Sequence, residues 1–335
     1  MKWLGTFSFW SCLFGACLGI FASQLLRSDN SPKVTEESQI RGGGSLYTNP
    51  LLECNIAKGS LDAQKLNFST QLNDRIRSLE SEHQLNSVGI YFRDLNNGPT
   101  FGLNQDENYL PASLLKLPVA MAFYKLAEGD EALLEKSIPF TQIFLPPGVG
   151  DTQYIPPSTE IVAGEAYTIR ELIRRSLVYS DNQAISLLYQ ELNATHPEVL
   201  RSLYALLGVS DAVLDGPDAT LTVKQYSAFL RVLYNASFLN VANSETVLSL
   251  LVQSEFSKGL VAGVPSGIPV AHKFGESGYQ NGERQIHDCG IVYYPKHPYI
   301  LCTMTRGNSA DALERSIADI SKFVFEQVDA QYIKN

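Results

Sequence analysis

The chain has 335 residues, enough for one large or two modest domains with a sizeable core. Its composition, 44% hydrophobic and 18% charged, argues against a mostly disordered chain. The net charge of −9 argues against a nucleic-acid partner, because phosphate binding needs a basic face.

The first predicted element is an N-terminal apolar segment. Residues 3–26 carry no charge, and a helix of that length can span a bilayer. A cleaved signal segment is the alternative, but residues 22–24 (Ala-Ser-Gln) match a small-x-small cleavage site poorly. We therefore predict a single-pass membrane anchor over residues 1–26, with the rest of the chain outside the cytoplasmic membrane, or secreted if the segment is cleaved.

The polar stretch that follows, residues 27–58, contains three consecutive glycines and is predicted to be a flexible linker. Residues 59–335 are predicted to form one folded domain. Apolar residues at helical spacing indicate an amphipathic helix over residues 61–85: Leu72, Ile76 and Leu79. Alternating apolar residues then indicate a strand: Val88, Ile90 and Phe92. Asn97 and Gly98 are placed at a hairpin turn.

The middle of the domain, about residues 113–254, is predicted to be largely helical, and Thr222 is a predicted N-cap. Three strands come near the end of the chain, followed by a closing helix over residues 310–328. Strands at both ends with helices between them predict an α+β fold. Its sheet is built from both ends of the chain and packs against a helical region.

The five cysteines show no metal-type spacing. Two lie in the predicted anchor and three beyond it: Cys12, Cys17, Cys54, Cys289 and Cys302. Pairing Tyr294 with Tyr299 across the last hairpin makes Cys289 and Cys302 diagonal neighbours. They would then lie roughly 7–8 Å apart, too far for a disulfide. We therefore expect free thiols.

A serine and a lysine stand three residues apart at the start of an apolar helix. On a helix, Ser113 and Lys116 would lie on one face about 5–6 Å apart. Pro118 lacks an N–H group, so it is tolerated only near the helix start. We therefore expect residues 113–116 to form a tight first turn.

Two further short motifs follow in order, Ser180-Asp181-Asn182 and Lys273-Phe274-Gly275. Together with the Ser113–Lys116 pair, their order and setting resemble the penicillin-recognising serine acyl-hydrolases. These are the class A β-lactamases and the transpeptidases and carboxypeptidases that share their fold. The resemblance covers about residues 60–330 and implies a β-lactamase/transpeptidase-like fold.

The resemblance implies catalytic roles for Ser113, Lys116 and Ser180. A serine hydroxyl is a poor nucleophile until a nearby base takes its proton. Lys116 can be that base if burial or a neighbouring cation lowers its pKa. Ser180 can relay a proton between Lys116 and the leaving nitrogen. The alternative readings are that Ser113 is only an N-cap and that the second motif is only a loop and cap.

Substrate-binding roles are implied for Asn182, Lys273, Gly275 and Glu276. Asn182 would hold the substrate's side-chain amide, and Lys273 would attract its carboxylate. The backbone N–H groups of Ser113 and Glu276 would form an oxyanion hole. Arg284 and Arg306 are further candidates for the carboxylate, with solvent-exposed side chains as the alternative. No cofactor and no metal are expected.

Two departures from the family pattern affect the expected chemistry. Phe274 replaces a threonine or serine whose hydroxyl would bind the substrate carboxylate. Tyr189 stands where the Glu-x-x-Leu-Asn pattern would have its deacylating glutamate, and it falls inside a predicted helix. The acids available in the following loop, with nothing to select one, are Asp211, Asp215 and Asp218.

The leading hypothesis is therefore an anchored serine acyl-hydrolase acting on a β-lactam or on a D-alanyl peptide of the cell wall. A D-alanyl-D-alanine carboxypeptidase-like enzyme is one alternative. Another is a penicillin-binding sensor that stays acylated, and a third is a non-catalytic scaffold.

Overall fold

The computed structural model describes residues 38–55, 62–83, 85–96, 100–142, 154–210, 219–280 and 283–332. All of them belong to one structural unit. The anchor predicted over residues 1–26 and the turn predicted at Asn97 and Gly98 lie outside these residues. Among the helices that are described, none combines the length and the apolar character needed to cross a bilayer.

A small hairpin precedes the first long helix. Strands β1 (Ser38–Arg41) and β2 (Leu51–Asn55) pair in antiparallel fashion. Between them, the backbone N–H groups of Tyr47 and Thr48 donate to the Glu245 carboxylate at 2.7 and 2.8 Å. Residues 38–55 therefore differ from the expected flexible linker, because the hairpin and this carboxylate attach them to the domain.

The main sheet has five antiparallel strands in the order β4-β3-β9-β8-β7. These strands are β3 (Leu85–Asp94), β4 (Thr100–Leu103), β7 (Val270–Gln280), β8 (Glu283–Val292) and β9 (Tyr299–Gly307). Two of them come from the first third of the chain and three from its end, which confirms the predicted sheet and the α+β class. β7 is an edge strand of this sheet, so only one of its two sides pairs with a neighbouring strand of the sheet.

Two long helices cover one face of the sheet, α1 (Asp62–His83) and α8 (Ala310–Tyr332). The residues whose spacing predicted α1 are buried in the core between these helices and the sheet: Leu72, Ile76 and Leu79. The alternating residues of β3 belong to the same core: Val88, Ile90 and Phe92. Tyr91, between two of those strand residues, belongs to the core on the other face. Because successive side chains of a strand point to opposite faces of the sheet, β3 contributes residues to both hydrophobic cores.

The other face carries the helical region. Its helices are α2 (Lys116–Ala127), α3 (Ile169–Arg174), α4 (Asn182–Thr195), α5 (Pro197–Leu206), α6 (Val223–Tyr234) and α7 (Val241–Val252). A two-stranded sheet, β5 (Ser137–Pro139) with β6 (Ala166–Thr168), lies beside them. Nearly every residue of α2 is buried. Thr222 caps α6 in a reciprocal pair of bonds with Gln225, so the predicted N-cap is confirmed.

Cys289 and Cys302 form a disulfide, so the expectation of free thiols at these positions was wrong. Tyr294 does not pair with Tyr299. Its carbonyl accepts from His297 N–H at 3.0 Å, so the turn begins at Tyr294 and Val292 is the residue opposite Tyr299. This register places the two cysteines directly opposite each other on β8 and β9.

A buried histidine makes the fold sensitive to acid. His287 on β8 contacts the Leu110 carbonyl through Nε2 at 2.9 Å and accepts from Thr305 N–H through Nδ1 at 3.2 Å. Because Nδ1 accepts a hydrogen bond, the imidazole is neutral and its proton is on Nε2, which donates to the carbonyl. Burial lowers the pKa of His287 to about 4. The unfolded chain therefore binds the proton more tightly, and stability falls as the pH drops from about 6.5 towards 4.

We predict that the free energy of unfolding falls by about 2–3 kcal/mol between pH 7 and pH 4.5 through this residue alone. Urea titrations at both pH values would measure it. The matched variant is His287→Gln, whose side chain does not titrate. Its free energy of unfolding should fall correspondingly less between the two pH values. Equal pH dependence in the two proteins would contradict the prediction.

Candidate active site

The predicted nucleophile lies on a tight turn that leads into α2. Residues Ala112–Leu115 form a 3-10 turn, and α2 begins at Lys116 with Pro118 as its third residue, as the proline predicted. Ala112 has a φ of 47°, an uncommon value for a residue with a side chain. The Ser113 hydroxyl is half-buried, and within the described part of the chain it accepts and donates no hydrogen bond.

Gly275 allows β7 to lie directly against this turn. A Cβ atom at Gly275 would be 2.8 Å from the Pro111 carbonyl oxygen and 3.0 Å from Leu114 Cγ. Real side chains do not tolerate such contacts, so only glycine permits this approach. The next residue on β7 is Glu276, whose backbone N–H is one of the two predicted oxyanion donors. The close approach therefore brings the nucleophile turn and the predicted oxyanion strand together.

The second motif forms a sharp turn between two helices. A π-helical turn, Arg175–Tyr179, ends at Ser180, which has a left-handed conformation with φ 59° and ψ 31°. Asp181 then caps α4, because its carboxylate accepts from the backbone N–H groups of Gln183 and Ala184. Its other oxygen accepts from Ile161 N–H at 3.0 Å. Asp181 thus fixes the turn, and Ser180 and Asn182 project from it.

The Ser180 hydroxyl lies between two lysine amines. Lys116 Nζ is 2.9 Å from Ser180 Oγ, 2.5 Å from the Ser180 carbonyl and 2.7 Å from Asn182 Oδ1. Lys273 Nζ is 3.0 Å from the same Oγ and 3.0 Å from the Phe274 carbonyl. The structure therefore brings four of the predicted residues into one hydrogen-bonded network. A hydroxyl both donates and accepts, so this one can pass a proton between the amines.

Both amines have pKa values well below those of ordinary lysines. Burial, and next the positive charge of Lys273, lower the pKa of Lys116 well below its usual range. Burial lowers the pKa of Lys273 to about 7, and the negative charges of Asp288 and Glu276 oppose this shift. A lowered pKa favours the neutral amine, which has a lone pair for a proton. This is the state that a general base requires.

Phe274 places an aromatic ring where the family pattern has a hydroxyl. The ring centroid is 4.2 Å from Lys273 Nζ, a distance typical of a cation–π contact. The ring stacks on Phe256 with 4.4 Å between centroids, and it is almost fully buried. One side of the Lys273 amine therefore contacts an aromatic ring and not a hydroxyl.

The other candidates have different contacts or lie outside the described residues. Arg306 donates to the Asn108 carbonyl at 2.9 Å and lies over the Tyr109 ring. The Arg284 guanidinium lies 4.6 Å from the centroid of the Tyr154 ring. Tyr189 is inside α4, as predicted. The loop acids Asp211, Asp215 and Asp218 lie outside the described residues.

The sequence reasoning missed a buried acid near the site, Asp288. Asp288 accepts from Leu260 N–H at 2.8 Å and contacts His272 Nδ1 at 2.8 Å, and neither side chain is exposed. A Cβ at Gly259 would be 2.3 Å from Asp288 Oδ2, which explains a glycine there. The available signal was a charged residue directly before the apolar end of a strand, residues 289–292, since unpaired charges are rarely buried.

The fold has helices on both faces of a five-stranded sheet, and the motif residues meet between the sheet edge and the helical region. It is the fold of the β-lactamases and of the penicillin-binding proteins related to them. Residues 71–328 match the family described as the β-lactamase enzyme family, and the chain belongs to it.

Several relatives cover most of the chain. A β-lactamase of Bacillus licheniformis is 26% identical over 82% of this chain and 89% of its own length. β-Lactamase 3 of Bacillus cereus is 26% identical over 76% of this chain and 80% of its own length.

Solved structures confirm the fold. PBP-A superposes with a TM-score of 0.64 at 21% identity, covering 78% of this chain and 97% of that one. A class A β-lactamase of Mycobacterium abscessus has a TM-score of 0.62 at 24% identity, covering 77% of this chain and 99% of the other. Membership of this family supports the assignment of the chain as a serine hydrolase that binds β-lactams.

Proposed function

We propose that this protein is a serine acyl-hydrolase that forms an acyl-enzyme on Ser113 with β-lactams and releases it slowly. The observation that carries the proposal is the buried Lys116 amine, with its lowered pKa, bound to the Ser180 hydroxyl that also contacts Lys273. A buried base, a relay hydroxyl and a second cation are the parts that acyl transfer to a serine needs.

In the proposed reaction, Lys116 Nζ takes the proton of the Ser113 hydroxyl as its oxygen attacks the β-lactam carbonyl. The carbonyl carbon–nitrogen bond then breaks, and the nitrogen receives the proton through Ser180. Water later hydrolyses the ester and restores the serine. Backbone N–H groups of Ser113 and Glu276 stabilise the developing oxyanion.

Two features support slow turnover. Tyr189 lies in α4 and has no carboxylate to activate a water, and general-base assistance to release is worth about 10²–10⁴-fold. Phe274 offers no hydroxyl to the substrate carboxylate, and this loss slows formation of the acyl-enzyme. A penicillin-binding protein or D-alanyl-D-alanine carboxypeptidase with little turnover of β-lactams is the second candidate, and the same two features favour it.

We place the domain outside the cytoplasmic membrane, attached by the apolar N-terminal segment or secreted after its cleavage. The Cys289–Cys302 disulfide supports this location, because disulfides persist in oxidising compartments. The substrates proposed for that compartment are β-lactams and D-alanyl peptides of the cell wall.

Intact-mass spectrometry with benzylpenicillin tests the proposal. The expected result is an adduct on Ser113 that persists for minutes, since Tyr189 cannot activate the water that would release it. Ser113→Ala should form no adduct and should unfold at nearly the same temperature, because the Ser113 hydroxyl makes no hydrogen bond to the described residues and caps neither helical turn. An adduct on the Ser113→Ala variant would place the nucleophile elsewhere. Rapid turnover without a detectable adduct would reveal an effective deacylating base.

A further inference from the structure

A short segment without helix or strand links the two sides of the site. In residues 154–161, here called the strap, exposed side chains alternate with less exposed ones. Ile161, the last residue of the strap, donates its N–H to Asp181 Oδ2 at 3.0 Å. This end of the strap is therefore attached beside Ser180 and Asn182.

The other end of the strap is attached to β7. Ile155 N–H donates to Glu276 Oε1 at 3.0 Å. Tyr154 adds two contacts, since its hydroxyl donates to Asp311 Oδ1 at 2.9 Å and its ring faces the Arg284 guanidinium. In the middle, Ser158 Oγ donates to a carboxylate oxygen of Glu255 at 2.8 Å. The strap thus connects the turn that carries Ser180 with the strand that carries Lys273.

The same two elements are joined beneath the strap by the amine network, in which Lys116 and Lys273 share the Ser180 hydroxyl. A substrate whose amide is held by Asn182 would have its side chain between the turn and β7. That is the space the strap bounds. The contact between Ile155 and Glu276 therefore closes the side of the site from which a substrate side chain must extend.

Glu276 is well suited to hold the strap. It follows Gly275 directly, so its backbone is fixed against the nucleophile turn by the close approach of β7. Its side chain is half-buried; burial raises the pKa of its carboxyl group, and the hydrogen bond from Ile155 N–H opposes this shift because it stabilises the carboxylate. A carboxylate that accepts a backbone N–H makes a stronger bond than a neutral acceptor does.

We propose that Glu276 is a specificity-determining residue: by holding the strap against β7 it restricts the site to compact β-lactams and hinders those with bulky side chains. The inference rests on the proposed acylation of Ser113. The strap must leave Glu276 before a bulky substrate can bind, so the effective affinity for such a substrate is reduced by the fraction of molecules with the strap released.

Two substitutions separate the hydrogen bond from the charge. Glu276→Ala removes the acceptor and frees Ile155. Glu276→Gln removes the charge but keeps a side-chain oxygen that can accept from Ile155 N–H. Tyr154→Phe is an independent variant, since it loses the bond to Asp311 and keeps the ring against Arg284.

The test compares acylation by benzylpenicillin with acylation by 6-aminopenicillanic acid, which has the same nucleus and carboxylate but no acyl side chain. In Glu276→Ala, the ratio of the two second-order acylation rate constants should rise at least about tenfold in favour of benzylpenicillin, as expected for loss of a charge-assisted bond. Glu276→Gln should keep the ratio within about threefold of the unmodified protein, because a neutral acceptor retains much of the bond. Tyr154→Phe should shift the ratio in the same direction as Glu276→Ala.

Hydrogen exchange over residues 154–161 provides a readout that does not depend on catalysis. Protection at Ile155 should be lost in Glu276→Ala and retained in Glu276→Gln. An unchanged ratio in Glu276→Ala, or equal shifts in the alanine and glutamine variants, would overturn the inference. If neither penicillin acylates any of the proteins, the proposed function fails. The exchange data would then still decide whether Glu276 holds the strap.

Discussion

Replacing Lys116 with alanine should slow acylation of Ser113 by about 10²–10⁴-fold, the usual value of general-base assistance. The buried Lys116 amine has a pKa well below the usual range, so it is the described group best suited to accept the serine proton. Stopped-flow measurement with a chromogenic β-lactam gives the rate constant directly.

Lys125→Ala is the matched control, because Lys125 lies on the same helix and pairs with Glu128 at the surface. It should acylate at the rate of the unmodified protein. Loss of Lys116 also removes the donor that binds the Ser180 carbonyl and Asn182 Oδ1, so thermal unfolding must show that the variant is folded. Lys116→Met, which keeps the apolar stem, serves if the alanine variant is unstable. A folded Lys116 variant that acylates within tenfold of the unmodified protein would remove Lys116 as the base.

The fold could be predicted where local patterns determine it. Leu72, Ile76 and Leu79 share one face of α1 whatever surrounds them, and their burial followed from spacing alone. The alternation in β3 was equally local. The last hairpin shows the limit of this reasoning. The pairing of β8 with β9 depends on where the turn begins, and a turn starting at Tyr294 moved the cysteines from diagonal to opposite positions.

The site could be predicted only in part. The motifs identified the residues that meet at Ser180, because chemistry restricts which residue types can act there. The side-chain contacts of Phe274 and Glu276 could not be predicted. Their partners, Phe256 and Ile155, are distant in sequence and carry no chemical signature. Such contacts depend on how the chain folds back over β7, and local patterns contain no information about that path.

Substituting Phe274 by threonine should speed acylation by benzylpenicillin about tenfold to hundredfold relative to valine at the same position. Threonine and valine have nearly the same shape, so both remove the ring that stacks on Phe256 and contacts the Lys273 amine. Only threonine supplies a hydroxyl for the substrate carboxylate, and a hydrogen bond to a charged group is worth about 1.5–3 kcal/mol.

The comparison with valine is needed because the ring also has a structural role. Phe274 is almost fully buried, and truncation of a buried aromatic ring should lower the free energy of unfolding by about 2–4 kcal/mol in either variant. Urea denaturation should therefore show similar losses for the two, while the acylation rates differ. Release of the acyl-enzyme should remain slow in both, since neither substitution adds a base for water. Equal acylation rates for the threonine and valine variants would show that the substrate carboxylate does not reach residue 274, and that the ring there serves the core alone.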